Sequence, residues 1–244
     1  MSSGKTGSAV NPHLELKSLQ NAAEDFRYLL NRGYPRKAAL EIVGNRYGLT
    51  FDDRHLLHRG VFSDADSESR KGKIIPIKAI QGKDFAIDGH NVLITVEAGL
   101  SGWPLILADD GFVRDISGVS GNFKKTAVTE KALQVIVAFL KKWGPHNTLF
   151  LFDAPISKSG ILAQELRDLL KKEGLPGDAL AEKVPEKTLI GFQGVVATSD
   201  TAIIDRSEKV IDLAGNIIRK KIGSMSLLRL KRGRLIKRRR IREK

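Results

Sequence analysis

The 244-residue chain contains no cysteine. That absence removes disulfides, thiolate metal sites and cysteine nucleophiles together. Long apolar runs are missing too. The longest strongly apolar helical stretch, ALQVIVAFL at 132–140, falls well short of the roughly 20 residues a bilayer-spanning helix needs. The opening segment, MSSGKTGSAVNP, has no apolar core of the secretory kind and is expected to be a flexible tail, residues 1–13. A cytoplasmic location is the expectation that follows. Three familiar motifs are lacking as well. Gly4-Lys5-Thr6 has no upstream strand or first glycine of a P-loop. The glycines of HNVLITVEAGLSG are not at dinucleotide-binding spacing, and no Gly-x-Ser-x-Gly elbow occurs.

What is present is ample apolar material, 41%, for one large domain or a small one joined to a medium one. The net charge of +13 is unevenly placed. Thirteen of the 41 Lys and Arg residues, but only one of the 28 acids, lie between Arg219 and Lys244, so the rest of the chain is close to neutral. Such a concentration of cations suits a polyanion. The stretch LLRLKRGRLIKRRRIREK mixes Leu and Ile among its cations, is interrupted by Gly233, and has no Trp, Phe or Tyr. A membrane-surface helix usually keeps a cleaner apolar face with aromatic anchors. Nucleic acid is therefore the expected partner, contacted by Arg232, Arg234, Lys237, Arg238, Arg239 and Arg240 of a basic tail at 221–244. The bland alternative is a solvated charge run.

Residues 14–62 read as a small domain of three helices. Leu16, Leu19, Ala22, Ala23, Phe26, Leu29 and Leu30 recur at helical spacing before Gly33. Pro35 opens a second helix ended by Gly48, and Thr50 with Asp53 is an N-cap arrangement for a third. The unit has the size of a helix-turn-helix bundle but equally of a plain packing module. His55 and His58 suit a cationic last turn better than a metal site. SDADSESRKGK, at 63–73, is polar and rich in both charges, which predicts a linker over 63–79. Beyond it, short apolar runs (DFAID, PLILAD, TLFLFD, GVVATSD) alternate with helical patterns. That alternation predicts a three-layer α/β/α domain with a mostly parallel sheet over 80–220.

Three of those strands end in the same residue. Asp88, Asp153 and Asp200 each close an apolar run, and ligands of open α/β sheets gather at the carboxyl ends of the strands. Three carboxylates brought together repel one another unless a cation lies among them. An all-oxygen donor set suits Mg²⁺ or Mn²⁺ over Zn²⁺. Asp205 is a fourth candidate ligand if its turn curls back. Each aspartate alone has a plainer use as the cap of a following helix, as do Ser157 and Ser159 in ISKSG. Gly89 and Asn91 are expected to shape the turn after the first strand.

IDGHN (87–91), LFDAPISKSG (151–160) and VATSDTAII (196–204) together resemble the PIN-like and NYN ribonuclease superfamily over about residues 80–220. The resemblance implies that Asp88, Asp153 and Asp200 hold the metal, that Asn91 orders the first loop and that Ser199 orients Asp200. The chain as a whole also resembles prokaryotic proteins that join a short helical domain to such a PIN-like domain. It departs from the superfamily between the second and last motifs, where Glu130, Glu165 and Asp168 are acidic only on helical faces. The implied activity is divalent-metal-dependent hydrolysis of RNA phosphodiesters, with Lys124, Lys125 and Lys158 as phosphate contacts. The alternatives are a weak or silent RNA- or ribosome-binding protein and a phosphatase for a small substrate. ADDGFVRDI is expected to form a hairpin, with Asp115 either facing the aspartates or on the surface beside Arg114.

Overall fold

The computed structural model describes residues 12–116, 125–156, 158–221 and 227–230. Lys124, Ser157, Arg232, Arg234, Lys237, Arg238, Arg239 and Arg240 lie outside the described residues. The chain opens with helices α1 (Pro12–Asn31), α2 (Arg36–Arg46), α3 (Phe51–Gly60) and α4 (Asp64–Lys73). The Thr50 side chain accepts from Asp53 N–H while the Asp53 side chain accepts from Thr50 N–H, a reciprocal cap that starts α3 as its sequence predicts. Ala22, Ala23 and Phe26 of α1 meet Ala39 and Val43 of α2 and Leu57 of α3 in a small apolar core. Phe26 is wholly buried, a contribution of about 2–3 kcal/mol.

Residues 63–79 are not the linker their composition predicts. Ser63 caps α4 by accepting from Asp66 N–H, and the helix docks through polar groups. Ser67 and Arg70 are its buried residues. Arg70 Nε and Nη2 donate to the two carboxylate oxygens of Asp205 at 2.7 and 2.8 Å. A helix held by a guanidinium fork rather than an apolar stripe has the composition of a loop. Ile77 and Ile80, on a short 3-10 turn, are already buried in the main core, so the second domain begins before residue 80.

Then follow β1 (Asp84–Asp88), α5 (Gly89–Leu100), β2 (Leu105–Leu107), β3 (Val113–Asp115), α6 (Ala127–Trp143), β4 (Asn147–Asp153) and α7 (Ser159–Glu173). The chain continues through β5 (Gly177–Glu182), α8 (Pro185–Gly191), β6 (Val195–Ala197), α9 (Thr201–Arg206), β7 (Val210–Ile211), α10 (Leu213–Lys221) and β8 (Leu227–Leu228). Five strands form a parallel sheet in the order β5-β4-β1-β6-β7. Successive side chains of a strand point to opposite faces, and both faces are covered. Phe85, Ile87, Phe150 and Phe152 pack under α5, α6, α7 and α10. Ala86, Leu151 and Val196 pack under α8 and α9. The result is the expected three-layer α/β/α architecture behind an all-helical unit. Among the described residues no helix is long and apolar enough to cross a membrane.

Two expectations within the α/β domain need correction. PLILAD is not a strand of the main sheet. It supplies β2 of a second sheet, ordered β3-β2-β8, in which β2 and β3 form the expected hairpin. The basic tail begins later than 221, because Leu227 and Leu228 pair with β2 and Leu230 packs against the helical core.

Arginines join the helical unit to the second sheet and to α9. Arg27 of α1 grips Asp109 at 2.8 and 3.1 Å. Arg59 of α3 reaches Asp115 at 3.0 Å, and Arg70 of α4 reaches Asp205. Gly60 lets α3 lie close to β2, since a Cβ there would stand 2.1 Å from the Ile106 side chain. Asp109 and Asp110 form the predicted turn with Gly111, yet neither is on the surface. Asp110 is fully buried and takes both Arg114 Nη1 and Nη2 at 2.8 Å.

Candidate active site at the strand ends

Strand order reverses at β1. The chain moves outward through β4 and β5, then returns to add β6 and β7 on the other side. The connection after β4 crosses one face of the sheet through α7, and that after β6 crosses the opposite face through α9. A crevice at the carboxyl ends of the strands is expected at such a switch point. A cavity of about 190 Å³ lies there, lined by Asp88, Asp153 and Asp200 together with Arg59, His90 and Asp115. The three strand-end aspartates therefore do share one cavity.

Their environments differ. Asp88 is buried and accepts from Thr198 Oγ1 at 2.8 Å. Burial raises its carboxyl, and the charges of Asp200 and Asp153 raise it further against the Thr198 hydrogen bond, to about 7. Asp153 is half-buried beside His90, whose Nδ1 lies 3.2 Å from its Oδ2 and 3.0 Å from its backbone nitrogen. One ring nitrogen serves one of these at a time, accepting from the backbone N–H in one tautomer or donating to the carboxylate in the other. Asp200 caps α9, its Oδ1 accepting from Ala202 and Ile203 N–H at 2.8 and 3.3 Å. The plain capping role thus coexists with its place in the cavity.

The loops behind these groups are fastened to each other. Asn91 Oδ1 accepts from both the N–H and the Oγ of Ser199 at 2.9 Å, joining the turn after β1 to the turn after β6. Ser159 Oγ is placed 2.7 Å from Asp153 O and 2.6 Å from Ile156 O, closing the loop after β4 on itself. Gly89 is needed for close approach. A Cβ there would stand 2.6 Å from the Phe152 ring and 2.8 Å from Leu151 O.

Other candidates are placed elsewhere. Asp205 does not join the aspartates. Helix α9 carries it to Arg70, whose hydrogen bonds hold its carboxyl below the usual range. Lys125 is bound to Glu165 at 2.6 Å and Glu130 at 3.4 Å, beside a cavity that shares no residue with the aspartate cavity. Lys158 is exposed in the loop after β4, with a left-handed φ of 68°. His58 is not the cation its last-turn position predicts. Burial, then Arg36, His55 and Arg59, lower it to about 4. Sequence reasoning missed Arg59, which arrives from the helical unit, and Thr198, which bridges Asp88 to the β6 loop. Asp115 is buried, paired with Arg59 and part of the cavity wall.

The donor set, carboxylates with one imidazole, is chemically suited to a hard divalent cation. Among the described residues, however, no three His, Asp or Glu side chains are gathered so as to hold an ion as they stand. A cation would have to draw them together.

The fold and cavity define an α/β protein with carboxylates at the switch point of a parallel sheet, preceded by a helical unit. The chain belongs to the family described as "Domain of unknown function (DUF5616)", which matches residues 77–216. Residues 18–73 match "Protein of unknown function (DUF434)", so α4 falls with the helical unit. "Uncharacterized protein MJ0935" of Methanocaldococcus jannaschii is 37% identical over 203 residues, 82% of this chain and 97% of that protein. No solved structure matches the chain.

Proposed function

We propose that the protein is a PIN-like, divalent-metal-dependent nuclease that hydrolyses RNA phosphodiesters. The observation that carries this reading is the opening of Asp88, Asp153 and Asp200, from three adjacent parallel strands, onto one cavity where Asp88 is raised to about 7. Mutual repulsion among carboxylates is the condition a cation relieves. Asp88, Asp153 and Asp200 would hold Mg²⁺ or Mn²⁺, which when bound supplies an acidified water and charge stabilisation at the phosphate. Asp88 must lose its proton to become a ligand, so metal affinity should climb with pH through about 7. Arg59, on the same wall as Asp200, is placed to meet a phosphate oxygen, and Lys158 is a further contact. Cationic residues 231–244 add affinity that is independent of sequence and weakens with salt. Removing 231–244, rather than everything from 219, spares α10 and β8 and should flatten the log–log dependence of RNA affinity on salt.

The test is cleavage of a mixed RNA panel with Mn²⁺ by wild type, Asp88→Asn and Asp153→Asn. A drop of at least about 100-fold in both variants is expected, as for loss of a group acting in the transition state. Equal cleavage by all three proteins would end the assignment. A second reading, a PIN-like RNA- or ribosome-binding protein without turnover, is favoured by one observation, the lack of a ready three-ligand group among the described residues. Retained RNA affinity with no cleavage in either metal would establish it instead.

A further inference from the structure

A larger cavity, of about 360 Å³, adjoins the acidic one, and Arg59 and Asp200 line both. Its character is opposite. Arg36, Arg59, Arg70 and Arg114 line it against only Asp66 and Asp200. Phe62 also lines it, with the guanidinium carbons of Arg36, Arg70 and Arg114 at 4.5, 4.7 and 5.1 Å from its ring centroid. A ring face attracts one cation, but three around one ring also repel each other.

The available carboxylates are largely committed. Asp110 is taken by Arg114, Asp205 by Arg70 and Asp115 by Arg59. Arg36 donates to the carbonyls of His58 and Val61, and among the described residues no carboxylate lies within ion-pair distance of it. Burial, then the charges of Arg70 and Arg114, lower Arg36 to about 10, and the charges of Asp110 and Asp66 offset this only in part. Arg70 gives an independent sign. Its side chain is 8% exposed, and Nη1 has no hydrogen-bond partner among the described residues, Asp110 Oδ2 being 3.6 Å away. Unused guanidinium donors in a positive enclosure are what an oxyanion with several acceptor atoms satisfies. Tyr34 is 50% exposed and also lines the cavity, an aromatic face beside the cations.

We infer that this cavity binds the phosphate of a nucleotide unit, with Arg36 and Arg70 on the phosphate and Tyr34 against the base. It deepens the nuclease reading and rests on it in one respect, that the same strand runs on into the acidic cavity past Arg59. Binding itself needs no metal.

The full chain would be titrated in EDTA at fixed salt with inorganic pyrophosphate, AMP and a 5′-phosphorylated RNA hexamer. Arg36→Gln should weaken all three about tenfold, the scale of one charge-assisted pair. Tyr34→Ala should weaken AMP and the hexamer about fivefold, a modest stacking loss, while leaving pyrophosphate unchanged. A hexamer bound more tightly than AMP by a margin that Tyr34→Ala and Arg36→Gln reduce identifies a polynucleotide as the source of the phosphate, and equal affinities a mononucleotide. Affinities within twofold of wild type for both variants on every probe would overturn the proposal. If circular dichroism shows Arg36→Gln unfolded, Tyr34→Ala decides alone through its split between AMP and pyrophosphate. A chain that binds the three probes in EDTA but never cleaves RNA in Mn²⁺ refutes the nuclease and leaves this site standing. Cleavage with unaltered binding by the Arg36 and Tyr34 variants does the reverse.

Discussion

The acidic cavity at the strand ends and the arginine cavity beside it are built by two different methods. In the first, parallel strands deliver aspartates from the ends of apolar runs, and the sheet fixes their spacing. In the second, side chains from the helical unit and from the hairpin meet across a seam, and a fully buried Asp110 holds part of the charge together. The first collects like charges around an open space. The second pairs most of its charges internally and leaves Arg36 over. A neighbourhood with excess negative charge and one with excess positive charge thus share Arg59 and Asp200, the arrangement on which the proposed phosphate site and the proposed nuclease both rest.

The sharpest way to break the arginine side is Arg114→Leu. It would leave the buried Asp110 with the Phe112 N–H at 3.4 Å and Arg70 at 3.6 Å in place of its two short guanidinium bonds, so a loss of about 3 kcal/mol is expected from urea unfolding at neutral pH. A loss below about 1 kcal/mol would mean that the seam does not depend on this pair.

The acidic side should respond in the opposite direction. Asp88 is raised from 3.8 to about 7, so between those values the folded state binds more protons than the unfolded state. Stability then falls as pH rises through that window. In EDTA, Asp88→Asn removes this term while keeping an acceptor for Thr198. The variant should be more stable than wild type by about 4 kcal/mol at pH 8, and the gap should close near pH 4. Parallel unfolding curves across that range check it, and a gap that widens toward acid would contradict a carboxyl raised by burial and by its neighbours' charge.

Gly89→Ala tests the close packing behind the aspartates. Its new methyl would meet the Phe152 ring and a backbone oxygen, so a cost of about 1–3 kcal/mol is expected by thermal or urea unfolding. Smallest of all is Asp205→Asn. The side chain is about half exposed, so less than about 1 kcal/mol should be lost, and Mn²⁺-dependent thermal stabilisation should be unchanged. A selective loss of the Mn²⁺ effect would return Asp205 to the ligand set.

What the sequence disclosed follows from the same contrast. DFAID, NTLFLFD and GVVATSD betray their strands because central parallel strands are apolar on both faces and the terminal acid stands out. Edge strands hide: β5 buries chiefly Ala179, and β7 has two residues. PLILAD looks like the others because an apolar run carries no record of which sheet it joins. Helix α4 was illegible because Arg70 and Ser67 do the docking that leucines usually do. Arg59 gave no signal, since a surface helix with an arginine in its last turn is commonplace and only the tertiary fold brings it to Asp200.

The peptide unit just before Asp200 is pinned from two directions. Its carbonyl accepts from Arg114 Nε at 2.8 Å, and its N–H donates to Thr198 Oγ1 at 3.0 Å. That plane cannot swivel without detaching a buried guanidinium from its acceptor. Any approach of Asp200 to a visiting cation must therefore come from rotation about its own side-chain bonds, while the main chain stays put.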